Sequence, residues 1–185
     1  MLQVNLKRKQ GNKSVVFGVL SIPKYGFKCV TMEQAPATSD MMYKHSCGIP
    51  EGVYVLSSGF SQGYPMFPLF VKKPQGFAVK PKFNLTDMNY NALPTGDIAI
   101  GKAIDGDFAI QGSGVLNDAF VDIFKHFFAE NPNEIVVLQV HKSKNFVFTE
   151  MSYEDVLMED ANRNFIEDDF DDEEQAELED NNDGQ

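Results

Sequence analysis

A chain of 185 residues can bury a substantial core and suits one domain with an appendage. Its formal net charge of −11 is unevenly spread: residues 159–185 hold 13 Asp/Glu and one Arg, leaving 15 Lys/Arg against 14 Asp/Glu in residues 1–158. A nearly neutral body argues against a nucleic-acid-binding surface, which needs a basic excess. The two cysteines, Cys29 and Cys47, are too few for a disulfide framework and lack metal-ligand spacing, so they read as thiols, with a single bridge left open.

The first ten residues alternate apolar and polar side chains and turn at Gly11-Asn12. This predicts a strand rather than a signal peptide, since no continuous apolar run follows the charges. No window approaches the ~20 apolar residues of a membrane span. The expectation is a soluble chain that is not exported by the usual route.

Ser14–Ile22 is a β-branched run closed by Pro23, and Phe27–Glu33 resumes after Gly26, which predicts a hairpin. Residues 34–48 read as a long polar loop. Further strands are expected at Gly52–Ser58, where Pro50 imposes an extended entry, at Phe67–Lys72, around Phe77 and Val79, and around Ile98 and Ile100. The period changes once: Phe120, Ile123, Phe124 and Phe127 recur at helical spacing, so 114–128 is predicted to be an amphipathic helix covering the sheet. Ser113 or Asn117 is the candidate cap, and Asn131-Pro132 the stop. Glu134–Val140 and Asn145–Thr149 then read as a closing hairpin turning at 141–144. Ser152–Asp155 has capping-box spacing and opens a short helix to about Met158. The division is a mainly β domain over 1–150, antiparallel and barrel-like, followed by 151–185, a short helix and an acidic arm.

Few residues offer chemistry. Cys29 lies mid-strand, where a buried, inert thiol is the plain reading. Cys47 with His45 is a Cys–His pair, but an i, i+2 pair in a loop rarely holds attack geometry. His126 and His141 need no function, and Gly112-Ser113-Gly114 lacks the Lys-Ser or Lys-Thr of a phosphate loop. The acidic arm lacks a calcium-loop pattern. No metal or cofactor is expected. The arm does carry Phe165, Ile166 and Phe170 beside Asp171, Asp172, Glu173 and Glu174, and acidic segments with spaced aromatics often order on a partner.

Four signatures stand in order: Thr31-Met-Glu33, Ile49-Pro-Glu-Gly-Val-Tyr54, Gly76–Lys80, and Gly96-Asp97-Ile-Ala-Ile-Gly101. In these the chain resembles a small domain family of unknown function from bacterial and tailed-phage genomes that is similar to the L,D-transpeptidase catalytic domain. The resemblance covers roughly residues 14–128. It implies cysteine acyl transfer with a histidine base. The histidine position falls on Lys80, the Gly-Asn position on Lys82-Phe83 and the cysteine position on Asp97, so the implied chemistry is lost while the scaffold residues persist. Lys80 and Asp97, as degenerate site positions, are expected to lie near each other at one end of the sheet.

The resemblance and the arm together imply a non-enzymatic structural or adaptor protein of a tailed-bacteriophage virion, in the virion or the host cytoplasm. Its partners would be protein subunits, homo- and hetero-oligomeric, with no direct nucleic acid and no membrane. The alternatives are a peptidoglycan-acting enzyme with a rearranged site around Lys80, Asp97 or Cys47, and an acidic inhibitor that mimics DNA.

Overall fold

A computed structural model of the chain describes residues 1–11, 14–35, 48–89, 92–103, 109–132 and 134–148. Ten strands and one long helix lie among them: β1 (Leu2–Gly11), β2 (Val15–Ile22), β3 (Phe27–Gln34), β4 (Gly52–Ser61), β5 (Tyr64–Phe70), β6 (Phe83–Asn84), β7 (Met88–Asn89), β8 (Ile98–Ala103), β9 (Ala109–Gln111), α1 (Gly114–Glu130) and β10 (Val136–Phe148). They form one curled sheet, a half-barrel in the order β5-β4-β10-β1-β2-β3-β8-β9-β7, with β6 beside β8. The short helix and acidic arm expected over 151–185, including Phe165, Ile166, Phe170 and Asp171 to Glu174, lie outside the described residues, as do His45 and Cys47.

The mainly β class holds, but the sheet is mixed rather than antiparallel. β1 runs parallel to β10, and β6 parallel to β8. The expected closing hairpin over 134–149 is a single strand, β10, inserted between β4 and β1. Residues 141–144 contain no Gly, Pro or Asn to reverse the chain. The irregularity appears instead as a bulge, where the pairing shifts from Arg8↔Lys142 to Gln10↔Val147. The run around Phe77 and Val79 is not a strand either. Pro74 and Pro81 flank it and remove ladder donors, so pairing begins only at Phe83.

Alternation builds the inner face. Leu2, Val4 and Leu6 of β1 point inward with Leu20 and Ile22 of β2, Phe27 and Cys29 of β3, and Val136, Leu138 and Val140 of β10. A 3-10 turn at Pro23–Tyr25 ends in left-handed Gly26 and joins β2 to β3.

Helix α1 covers this face as its phenylalanine spacing predicts, burying Phe120, Val121, Phe124, Phe127 and Phe128. Phe120 is the hub, with ring centroids 4.9 Å from Phe124, 5.5 Å from Phe83, 5.9 Å from Phe27 and 6.1 Å from Phe67. Ser113 is the N-cap but makes no side-chain cap bond, while Asn117 donates to the Leu85 carbonyl at 2.6 Å. Asn131 stops the helix, its side chain donating to the Phe127 carbonyl.

A smaller cluster of Val15, Phe17, Met32, Leu93, Ala99 and Ile110 lies on the opposite face of the β2–β3–β8 region. No helix among the described residues is long and apolar enough to cross a membrane.

Candidate functional site

The inward row of β1 ends on a charge. Arg8 follows Leu2, Val4 and Leu6 on the same face, and its side chain is 0% exposed. Across β2 it faces Gly18, and across Gly18 it faces Thr31 of β3. A Cβ at Gly18 would sit 2.7 Å from the Lys7 carbonyl oxygen and 3.0 Å from the Thr31 hydroxyl, so glycine is what leaves room for the row to pass. Glu33, 1% exposed, meets the guanidinium bidentately: Arg8 Nε donates to Oε2 at 2.9 Å and Nη2 to Oε1 at 2.7 Å. Nη2 also donates to the Ile49 carbonyl at 2.6 Å. Burial works against the guanidinium's charge, but the field and hydrogen bond of Glu33, with smaller help from Glu51 and Tyr54, raise its pKa above the ordinary arginine value. Tyr54 donates its hydroxyl to the Pro50 carbonyl, so both carbonyls of Ile49-Pro50 are held by side chains.

Next to this pair lies the turn into β8. Gly96 has φ +80°, and a Cβ there would come within 2.5 Å of the Phe77 ring and 3.5 Å of Ile49. Asp97 follows, 5% exposed. Its Oδ1 accepts from the Lys82 backbone at 2.8 Å and its Oδ2 from Asn84 Nδ2 at 2.9 Å. Burial raises the Asp97 pKa, opposed by the Asn84 and Lys82 hydrogen bonds and by the Lys82 charge. Lys80 is exposed on the approach to β6. The partners of the Asp97 carboxylate are thus Lys82 and Asn84, two and four residues beyond Lys80.

The four signatures therefore meet. Glu33 is joined through Arg8 to Ile49, Ile49 touches the Gly96 turn, that turn holds Phe77, and Asp97 fixes residues 82–84 against β8. The segment 82–87 is held chiefly by side chains: Gln62 contacts the Phe83 carbonyl and accepts from Leu85 N–H, Asn117 takes the Leu85 carbonyl, and Asp87 accepts from Gly112 N–H.

What this arrangement can do chemically is limited. Asp97 has both oxygens engaged, and Arg8 and Glu33 neutralise each other. Cys29 is a buried, unbridged thiol in the core whose pKa burial pushes up to about 12. Among the described residues no group of three His, Cys, Asp or Glu side chains could hold a metal ion. Arg8 Nη1 and Thr31 Oγ1 have no hydrogen-bond partner among the described residues. Arg8 itself was hidden from sequence reasoning inside Lys7-Arg8-Lys9, which looks like solvated charge. The available signal was parity, since Arg8 continues the even row of Leu2, Val4 and Leu6.

Comparison with protein-family models, with curated proteins and with solved structures found no match. The chain's own geometry carries the functional argument.

Proposed function

We propose that the chain is a non-enzymatic structural or adaptor protein of a multi-subunit assembly, a tailed-bacteriophage virion component with a catalytically degenerate L,D-transpeptidase-like domain and an acidic C-terminal arm that engages other subunits. The observation that carries this reading is the state of Asp97. Asp97, which the resemblance would put at the nucleophile's position, is buried, bonded through both oxygens to Lys82 and Asn84, and acts as a staple between the 82–84 segment and β8. Staples of this kind, like the Arg8–Glu33 pair, support rigidity rather than turnover. The test is incorporation: particles assembled with the full chain should contain it, and particles assembled with a chain ending at residue 158 should not. Equal incorporation at low salt would transfer the interaction to the β domain.

A second reading, a peptidoglycan-acting cysteine enzyme, is favoured by one feature. Gly48, which Cys47 directly precedes in sequence, bonds the Ala35 carbonyl through its N–H at 3.1 Å, next to Glu33 and Ile49. Cleavage or exchange of crosslinked peptidoglycan fragments, abolished by Cys47→Ser, would establish that reading and defeat the first.

A further inference from the structure

The connection from β5 to β6 carries charge of one sign. Residues 52–86 hold Lys72, Lys73, Lys80 and Lys82 and no Asp or Glu. All four lysines are exposed, and among the described residues none is ion-paired with a carboxylate. Lys73 Nζ lies 3.5 Å from the Ala78 carbonyl of the same connection, a contact that leaves its charge in place. Asp97 feels the Lys82 charge, but it is buried with both oxygens bonded, so Lys72, Lys73 and Lys80 keep their charge for a partner. We propose that the 72–82 loop is the docking site for the acidic C-terminal arm of the same chain. The inference rests on the arm being a binding segment, as above, and adds where it binds before another subunit is present.

The backbone of this loop is set in advance. The Pro74 carbonyl accepts from Phe77 N–H at 3.2 Å, the buried Phe77 ring packs against Gly96, and Asp97 holds Lys82 N–H at 2.8 Å. A site already ordered spares part of the entropy cost of binding. Held in this way, the loop presents Val71 and Val79, 37% and 64% exposed, next to Lys72 and Lys80. Lysines interleaved with exposed valines match a segment with 13 Asp/Glu interrupted by Phe165, Ile166 and Phe170.

The strand registers put the end of β10 on the same line across the sheet as this loop. Phe148 pairs with Gly11, Gly11 with Val16, Val16 with Glu33, Glu33 with Ile98, and Ile98 with Phe83, the residue after Lys82. Five strand spacings amount to about 24 Å along the sheet. Residues 149–158 can span roughly 33 Å if extended, so the acidic run from Glu159 reaches Lys82 and Lys80 of its own body. A short tether also holds the arm at an effective concentration on the order of millimolar, which favours the same chain over a second copy.

The test is zero-length carbodiimide crosslinking of the full chain, as an equal mixture of ordinary and 15N-labelled protein, read by peptide mass spectrometry at about 0.01 M and about 1 M salt. The expected result is crosslinks from Lys72, Lys73, Lys80 or Lys82 to acids within 159–185, confined to single-isotope pairs and lost at high salt. Mixed-isotope pairs would assign the arm to a second copy and overturn the proposal. So would crosslinks from the arm to lysines outside 72–82 in preference to these four, crosslinks that persist at high salt, or none from the arm at all. Since the experiment uses the isolated chain, its failure leaves the incorporation test above unaffected.

Discussion

Replacing Glu33 with Gln removes the charge that compensates Arg8 while keeping the shape of the side chain. In the wild type the guanidinium is fully buried, with two hydrogen bonds to Glu33 at 2.7 and 2.9 Å and one to the Ile49 carbonyl at 2.6 Å. Glu33→Gln leaves a buried cation with two neutral acceptors, and breaking such a pair costs about 3–5 kcal/mol. At about 2–4 °C per kcal/mol for a domain of this size, the midpoint of thermal unfolding should fall by roughly 6–20 °C. The double variant Arg8→Met, Glu33→Leu removes both charges together and should recover most of that loss, because apolar replacement of a whole buried pair is often nearly neutral. What it does not recover is the bond to the Ile49 carbonyl, about 1.5–3 kcal/mol as a bond from a charged donor. Urea unfolding followed by far-ultraviolet circular dichroism, for wild type, Glu33→Gln, the single variants Arg8→Met and Glu33→Leu, and the double variant, measures the coupling directly. A Glu33→Gln variant within about 1 kcal/mol of wild type would mean that water reaches the guanidinium, and the argument from burial would fail.

Phe124→Ala should cost about 3–5 kcal/mol, because Phe124 is fully buried against Phe120 and Phe128; a variant melting with the wild type would place the helix face outside the core. Cys29 should resist iodoacetamide in the native protein at pH 8, where a thiol pushed up to about 12 is ionised in only about one molecule in ten thousand, and react on denaturation; native labelling would show that the strand opens. The raised Asp97 pKa gives a signed pH dependence. Between the ordinary carboxylate value of about 3.9 and the higher folded value the native state binds more protons than the unfolded one, so this contribution to stability is present at low pH and declines as pH rises through that window. Unfolding midpoints of wild type relative to Asp97→Asn should therefore fall from below about pH 4 upward, and a relative rise would show that the hydrogen bonds from Asn84 and Lys82 dominate over burial.

The parts of the fold legible in the sequence are those with a local period. Alternation from Leu2 to Lys7 and the Phe120–Phe124–Phe127 spacing report burial on one face directly, and β1 to β5 and α1 follow from such patterns. β10 shows why the rest was hidden. Its apolar run was readable, but its parallel pairing with β1 joins Leu2 to Val136, and no local pattern records a partner so distant in sequence. The short ladders β6, β7 and β9 span two or three residues each, below the length at which a period exists. They owe their place to Gln62, Asp87, Asp97 and Asn117, whose side chains bond backbone groups across the chain. The candidate site was legible only as four signatures in order along the chain, and their meeting in space was not. The role of Arg8, which ties two of them together, emerged only from the fold.

The central claim, that the chain is a structural component rather than an enzyme, is tested most directly by quantitative mass spectrometry of purified particles from cells that encode it. The account predicts the protein in every preparation at a fixed integral ratio to the other particle proteins. Its absence from particles, or a ratio that varies between preparations and falls on washing, would contradict the account.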